Sequence, residues 1–473
     1  MRLLRHLPEF GWIRNRNENE DKNMKKTAEK LIAFIKESPD AFHAAAAVSE
    51  RLEEKGYQKL AEKDHWSLEA GKGYYVTRNE SAVIAFRMPE KEITGYQIMA
   101  SHSDSPAFKI KERPEMVIDG HYVKLNVEKY GGMLMAPWFD RPLSVSGRVM
   151  VKETTPDGRK KMVSKLVNID RDLLLIPSLA IHMNREVNGG YSYNAQKDML
   201  PLMSCGCEPG QFQKLVAEAA GVKEGDICAQ ELFLYSRSQG SIWGAEEEFV
   251  SSGRLDDLQC AYAGLMGFLE SGDHRLKEMD GSVYDTWQAG GVVPVYCMLD
   301  NEEVGSGTKQ GAASTFLKDV LTRINLAAGG SEEEYLRALA GSFMVSADNA
   351  HALHPNYADK TDPTNHPFMN QGIVIKHSAN QKYTTDAVSA AVYRSICEAA
   401  EVPVQDFFNR SDMPGGSTLG NIANTQTPMN TVDIGLPQLA MHSVYETAGV
   451  KDTEYLIRAT TLFYLSNVAE LLQ

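Results

Sequence analysis

Val292-Val293-Pro294-Val295-Tyr296-Cys297-Met298-Leu299 runs directly into Asp300-Asn301-Glu302-Glu303. A short apolar run rich in β-branched residues predicts a buried strand. Two adjacent acids where it ends suggest one carboxylate for a metal and one left free for proton transfer. Alone, a Glu-Glu pair is usually a solvated turn. Four other segments repeat the pattern, placing acids or histidines just after apolar stretches: Ala100-Ser101-His102-Ser103-Asp104-Ser105-Pro106, Gly253-Arg254-Leu255-Asp256-Asp257, Ser346-Ala347-Asp348-Asn349-Ala350-His351 and Leu439-Ala440-Met441-His442-Ser443. Open α/β folds build their sites where several strand ends converge at one rim of a sheet. The expected fold class is therefore α/β, with a polar site at such a rim.

A chain of 473 residues exceeds what one core usually supports, so two domains are the starting expectation. Its 63 acidic against 49 basic residues, a formal charge of −14, argue against nucleic acid or another polyanion as partner. No apolar run approaches the ~20 residues of a membrane-spanning helix. The opening Met1-Arg2-Leu3-Leu4-Arg5-His6-Leu7 is too short and polar for a signal peptide. Six cysteines are too sparse for a disulfide scaffold: Cys297 and Cys397 read as buried thiols, and Cys205-Gly206-Cys207 lacks the second pair that a structural zinc site needs. A reducing cytoplasm is the expected setting.

Periodicity divides the chain. Residues 1–23 read as a floppy arm or as a start assigned too early. From Met24 an amphipathic helix carries Ala28, Leu31, Ile32 and Ile35 on one face and stops before Ser38-Pro39, and a second helix runs from about Phe42 to Lys55. Strands follow near Tyr74–Thr77, Ala82–Arg87 and Gln97–Ala100. From 112 to 245 the texture is strand-like, with period-two alternation in Tyr122–Val127, Leu143–Val149 and Lys165–Ile169. Helix and strand then alternate again up to a C-terminal helix, Glu454–Leu472. A β-rich stretch between two α/β stretches predicts an inserted domain, 112–245, within a catalytic domain formed by 24–111 and 246–473. The acid run Glu246-Glu247-Glu248 near the second boundary reads as solvated.

A pair of divalent ions needs hard oxygen and imidazole ligands, one carboxylate bridging both. His102, Asp256, Glu303, Asp348 and His442 supply that inventory, with Glu302 left over as a base beside the ions. Each has an ordinary alternative: His102 as a satisfied core histidine, Asp256 and Asp348 as helix N-caps. Together they are harder to explain that way, because buried acids repel one another unless a cation lies between them.

The blocks Ser101-His102-Ser103-Asp104, Arg254-Leu255-Asp256, Asp300 to Ser306, Asp348 to Tyr357, Ser411-Asp412-Met413-Pro414 and Met441-His442-Ser443 resemble the aspartyl aminopeptidase family of cocatalytic metallopeptidases. The likeness spans nearly everything from Met24 onward. It implies a zinc-peptidase fold, a mixed sheet flanked by helices with an inserted β-rich dimerisation domain. It also implies that His102 and Asp348 hold one metal, Glu303 and His442 the other, Asp256 bridges, Glu302 is the general base and acid, and Asp104 orients the first imidazole. Lys376, His351, Met413, Gly416 and Tyr383 fall at its substrate-binding positions, Lys376 where a lysine meets an acidic side chain. Family members form tetrahedral dodecamers built from dimers, and Ile176 to His182 resembles the segment whose histidine enters a neighbouring subunit's active site.

The chain departs from the family pattern at Gly415-Gly416, where Cys-Gly is common, at Asn421, often Pro, and at Val444-Tyr445-Glu446, where acid-preferring members often read Ile-Arg-Glu. These segments are expected to shape the substrate pocket. The reading that emerges is a metal-dependent aminopeptidase acting on peptides, with two zinc ions per subunit, or cobalt or manganese, and an Asp or Glu preference at the N-terminal residue. A carboxypeptidase or deacylase on the same scaffold is the alternative hydrolase, although it would need a basic pocket for a substrate carboxylate. A non-catalytic self-assembling or cargo-binding protein is the other, but a pure scaffold has no need of a costly acid cluster.

Overall fold

The computed structural model describes residues 18–206, 209–273, 275–277, 283–285 and 290–471. Its largest sheet has nine strands in the order Gln58–Leu60, Gly73–Arg78, Ala82–Arg87, Val292–Leu299, Gly95–His102, Phe343–Ala347, Asn430–Gly435, Ile373–His377 and Val404–Phe408. The sheet is mixed. Val292–Leu299 pairs antiparallel with Ala82–Arg87 and parallel with Gly95–His102. Pro294 is tolerated there because pairing with Ala82–Arg87 begins only at Val295, so the missing N–H falls before the second neighbour joins.

Alternation along this strand sorts its side chains into two cores. Tyr296 and Met298 join helices Glu18–Glu37, Ala41–Glu54, Leu255–Asp273 and Asp452–Leu465 on one face. Val293, Val295, Cys297 and Leu299 join helices Phe316–Ala327 and Glu332–Ala340 on the other. Burial on both faces explains the unbroken apolar run. It also fixes the register, since a one-residue slip would exchange the two sets. Leu299 lies opposite His102, and Ser346 opposite Ala100, so three neighbouring parallel strands end at one rim.

A six-stranded antiparallel sheet, in the order Lys160–Asn168, Leu143–Thr154, Ile227–Ser236, Ala107–Ile118, Tyr122–Tyr130 and Leu202–Cys205, has a core of its own around Phe108, Trp138, Val145 and Leu232. Its first strand starts at Ala107, ahead of the strand-like texture expected from 112. Pro114 obscures the strand in the sequence; it sits where the pairing slips between Ile110 and Glu115, an irregularity that accommodates a residue without an N–H. The sheet ends at Ser236, and Ser241–Trp243 instead joins a five-stranded sheet with Phe249–Ser252, Glu446–Gly449, Pro437–Leu439 and Ala350–His351.

At the amino end, the helix starts at Glu18 rather than Met24, because Glu20 pairs with Arg458 and Asp21 with Lys451. The remainder of the expected arm, 1–17, lies outside the described residues. The terminal helix is Asp452–Leu465; extended backbone at Ser466 separates it from Val468–Leu471. Cys260, Cys297 and Cys397 are buried and free; Cys205 is exposed, and Cys207 lies outside the described residues. No helix among the described residues is long and apolar enough to cross a membrane.

Candidate metal centre

At the rim, His102 ends strand Gly95–His102, Asp348 follows Phe343–Ala347, and Glu302 and Glu303 form the 3-10 turn after Val292–Leu299. Asp256 opens helix Leu255–Asp273 at a non-helical residue, and the peptide bond to Asp257 is cis. His442 sits in a loop after Pro437–Leu439 at φ +67°. Elements far apart in sequence thus bring all five proposed ligands together.

The Asp256 carboxylate lies between two imidazoles: Oδ1 is 3.5 Å from His102 Nε2, and Oδ2 is 3.4 Å from His442 Nε2. Glu303 Oε2 is also 3.4 Å from His442 Nε2. These separations exceed an ordinary hydrogen bond. They suit a shared ion, because two ligand atoms each about 2.0–2.1 Å from a tetrahedral centre lie about 3.4 Å apart. Asp256 Oδ1, Asp257 Oδ1 and Glu303 Oε1 are buried without a hydrogen-bond donor, an expensive arrangement that a cation would relieve. Donor atoms of His102, Asp256, Asp257 and Asp348, and separately of Asp256, Glu303 and His442, lie within 4.8 Å of one another. This oxygen and imidazole set fits two divalent ions sharing Asp256.

Surrounding bonds orient the set. His102 Nδ1 donates to the Asp104 main-chain carbonyl at 3.0 Å, which places a proton on Nδ1 and turns Nε2 toward Asp256, where it would offer its lone pair to a bound ion. Asp104 thus holds the ring through its carbonyl; its carboxylate oxygen is 3.5 Å away. That carboxylate instead accepts the Glu302 and Glu303 amides, at 3.1 and 3.2 Å. Among the described residues no group donates a hydrogen bond to the Glu302 carboxylate, which lines the cavity.

Electrostatics follows from crowded acids. Burial, then Asp256, pushes Glu303 well above the usual carboxylate range. Burial raises Glu302 to about 8, helped by Asp348, Asp104 and Asp256 and opposed by His102. Asp348 is raised by burial despite Lys376. Burial opposes charging of His102, but Asp257, Asp104 and Asp256 outweigh it and lift the imidazole well above its ordinary value. Asp256 alone is lowered: burial works against it, but the two histidines prevail. A bound dication would stabilise the ionised form of every one of these carboxylates.

A cavity of about 340 Å³ opens on this set, lined by Lys376, His351, Tyr383 and Gly416 among others. Lys376 is buried, its Nζ 3.7 Å from Asp348 Oδ1 and 5.6 Å from the centre of the Tyr383 ring. Met413 lies outside, in a neighbouring cavity that shares His351 and Gly416. Gly416, which matches the family's glycine, lines the metal cavity, whereas the departures Gly415 and Asn421 do not line it. Nor does Tyr445: its hydroxyl meets Ser241 Oγ at 2.8 Å and donates to the Gln239 carbonyl. His182 occupies the exposed 3-10 turn Ile181–Met183 and is not among the residues lining its own chain's metal cavity.

Two residues of the site were not assigned from sequence. Asp257 is fully buried and accepts the His102 amide at 3.1 Å; the Asp256-Asp257 pair held the hint, but only one acid of the pair was given a role. Glu446 accepts the Asp256 amide at 3.0 Å and the His442 amide at 2.7 Å, tying the bridging residue to the second histidine. Its signal was an acid four residues beyond His442 at the head of an apolar strand.

Comparison with known proteins follows the same line. The family model described as aminopeptidase I zinc metalloprotease (M18) matches residues 34–464. A probable M18 family aminopeptidase 2 of Clostridium novyi is 44% identical over 454 residues, 94% of this chain and 99% of the relative. One from Ectopseudomonas mendocina is 40% identical, covering 92% and 97%. Among solved structures, a cryo-EM structure of the Ape4 and Nbr1 complex superposes with TM-score 0.88 at 35% identity, over 95% of this chain and 88% of that one. The S. cerevisiae mApe1 dodecamer gives 0.81 at 25% identity, over 95% and 99%.

Proposed function

The chain belongs to the M18 family of aminopeptidase I zinc metalloproteases, and from that premise we propose a dinuclear aminopeptidase that releases N-terminal residues, with acidic ones preferred, from peptides in the cytoplasm. The observation that carries this reading is the Asp256 carboxylate with an imidazole on each oxygen, at 3.5 and 3.4 Å. His102 and Asp348 would hold one ion, Glu303 and His442 the other. Bound dications would make a water acidic enough to attack at neutral pH and would withdraw charge from the scissile carbonyl oxygen.

The remaining work falls to the chain. Glu302 accepts the proton of the attacking water and passes it to the leaving amine. In the metal-free cluster burial first and neighbouring carboxylates next raise its affinity for protons, which suits the donating half of that transfer, and bound dications would favour the ionised form that accepts the proton. Lys376, buried at the cavity wall, meets the acidic side chain of the substrate. Exposed Leu179, Ile181 and Met183 around His182 support a homo-oligomeric assembly in which this turn packs on another subunit. A tetrahedral dodecamer is the form we propose, in line with the dodecameric mApe1 relative. Zinc is the proposed resident ion.

Glu302→Gln tests the central step. It should leave two metals per subunit while lowering kcat by at least ~100-fold, the scale of a general acid–base group. Loss of metal with kcat preserved per metal-loaded site would make Glu302 structural instead.

A further inference from the structure

The segment Tyr130-Gly131-Gly132-Met133-Leu134 carries the six-stranded sheet to the metal-binding loops. Tyr130 is the last residue of strand Tyr122–Tyr130 and pairs with Ala107, immediately after the loop that carries His102 and Asp104. Its hydroxyl donates to Asp104 Oδ2 at 2.7 Å and accepts from Asn301 Nδ2 at 2.8 Å. Asp104 Oδ1 and Oδ2 receive the amides of Glu302 and Glu303. Asn301, at φ +62°, starts the turn that carries both acids, and its side-chain oxygen accepts from Thr308 at 2.8 Å and Gln310 at 2.7 Å. One phenol thus braces the start of the Glu302–Glu303 turn and the carboxylate that holds its amides.

The next residues lie against the other half of the centre. Gly131 sits at φ +74°, and a Cβ there would stand 3.1 Å from Glu303 Cβ and 3.3 Å from the Glu303 carbonyl oxygen. The Leu134 amide donates to the His442 carbonyl at 3.1 Å. The Tyr130 ring is itself anchored in the six-stranded sheet, edge-on to Phe233 with centroids 5.5 Å apart.

We propose that Tyr130 is a positioning residue through which the six-stranded sheet sets the place of the Glu302 carboxylate and of Glu303. The proposal deepens the aminopeptidase reading and rests on it. Hydrogen bonds around catalytic and metal-binding residues hold them in productive geometry, and their removal costs about 10–100-fold in activity or metal affinity.

The test uses full-length, zinc-loaded protein carrying Tyr130→Phe, which keeps the ring and its contact with Phe233. kcat should fall about tenfold to a hundredfold, as for a lost hydrogen bond to a charged group, while KM stays within about twofold. Equilibrium zinc content should match the wild type, but zinc should pass to a chromogenic chelator several-fold faster, because Glu303 is less firmly held. Val151→Ala is the structural control: Val151 is buried in the core of the same sheet, where its strand pairs with Ile227, away from the end that carries Phe233. It should lower the melting temperature with kcat and zinc release unchanged.

Unchanged kcat and zinc release in Tyr130→Phe would overturn the proposal, as would equal kinetic losses in Val151→Ala. Zinc release needs no substrate, so it judges Tyr130 separately from the reaction. A wild type that releases no N-terminal residue would end the aminopeptidase reading, while faster zinc release in Tyr130→Phe would still uphold the brace.

Discussion

The rim of the nine-stranded sheet and the face of the six-stranded sheet invert the usual placement of side chains in opposite ways. At the rim, Asp256, Asp257 and Asp348 are buried within reach of one another. On the six-stranded sheet and its loops, Tyr122, Met162, Leu179, Ile181 and Met183 face outward, Met183 at 75% exposure. Either arrangement is costly in an isolated chain, the first because buried charge is poorly solvated and the second because apolar surface meets water. The difference teaches what each region needs from outside: cations for one and, on the proposed reading, a second chain for the other.

The largest effect expected from this contrast comes from removing the ions. Exhaustive chelation should abolish peptidase activity and lower the melting temperature, both restored by zinc. Binding to the folded state alone stabilises by about 2.7 kcal/mol when the free ion is 100 times its Kd. The pH dependence has a definite sign. Burial lifts Glu303 and Asp348 above the usual carboxylate range in the metal-free cluster, so protons compete with metal as pH falls toward that raised range. The zinc affinity, measured against a chelator whose own protonation is allowed for, should therefore be weaker in acid than in base. Full activity and an unchanged melting curve after chelation would break the rim half of the comparison.

The next effect belongs to the outward-facing sheet. If the turn Ile181–Met183 enters a neighbour's site, His182 would donate to the oxyanion that forms there. Losing such a donor costs about 10²–10³ in kcat. His182→Ala should show a loss of that size with metal content and assembly retained. Co-expressed with Glu302→Gln, it should recover part of the activity, because some hybrid sites would combine a wild-type Glu302 from one chain with a wild-type His182 from another. No recovery in verified hybrids would mean each chain completes its own site.

The two regions were also unequally legible in the sequence. The rim announces itself because short-range rules suffice. Val292–Leu299 is apolar on both faces, and the acids after it have no strand left to occupy. Asp257 and Glu446 escaped because their roles are made of backbone amides, those of His102, Asp256 and His442, whose positions exist only once the strands are assembled. The first strand of the six-stranded sheet, Ala107–Ile118, was not named from sequence because Pro114 breaks the alternation that marks a strand, and only the pairing with Tyr122–Tyr130 shows the irregularity that absorbs it. His182 had no local signal. A histidine on an exposed turn is ordinary until a family resemblance gives it a destination.

The smallest effect expected concerns which residue the site removes, and it sharpens the contrast by placing a third charge at the rim. Lys376 comes from strand Ile373–His377, within the nine-stranded sheet, and is buried at the cavity wall 3.7 Å from Asp348. Burial alone would discharge it, but Asp348, Tyr383 and Asp433 more than compensate and keep it cationic. On the proposed reading, a metal drawing on Asp348 would leave the ammonium to meet a substrate carboxylate, a bond worth about 1.5–3 kcal/mol. The Tyr445 hydroxyl is engaged with Ser241 and Gln239, and the residue is not among those lining this cavity. Lys376→Met should therefore lower kcat/KM for N-terminal Asp and Glu by about tenfold or more, and for Leu much less. The wild type should correspondingly release Asp and Glu faster than Leu. Faster release of Leu would assign the lysine to holding Asp348 and leave the substrate preference to the apolar part of the wall around Tyr383 and Phe407.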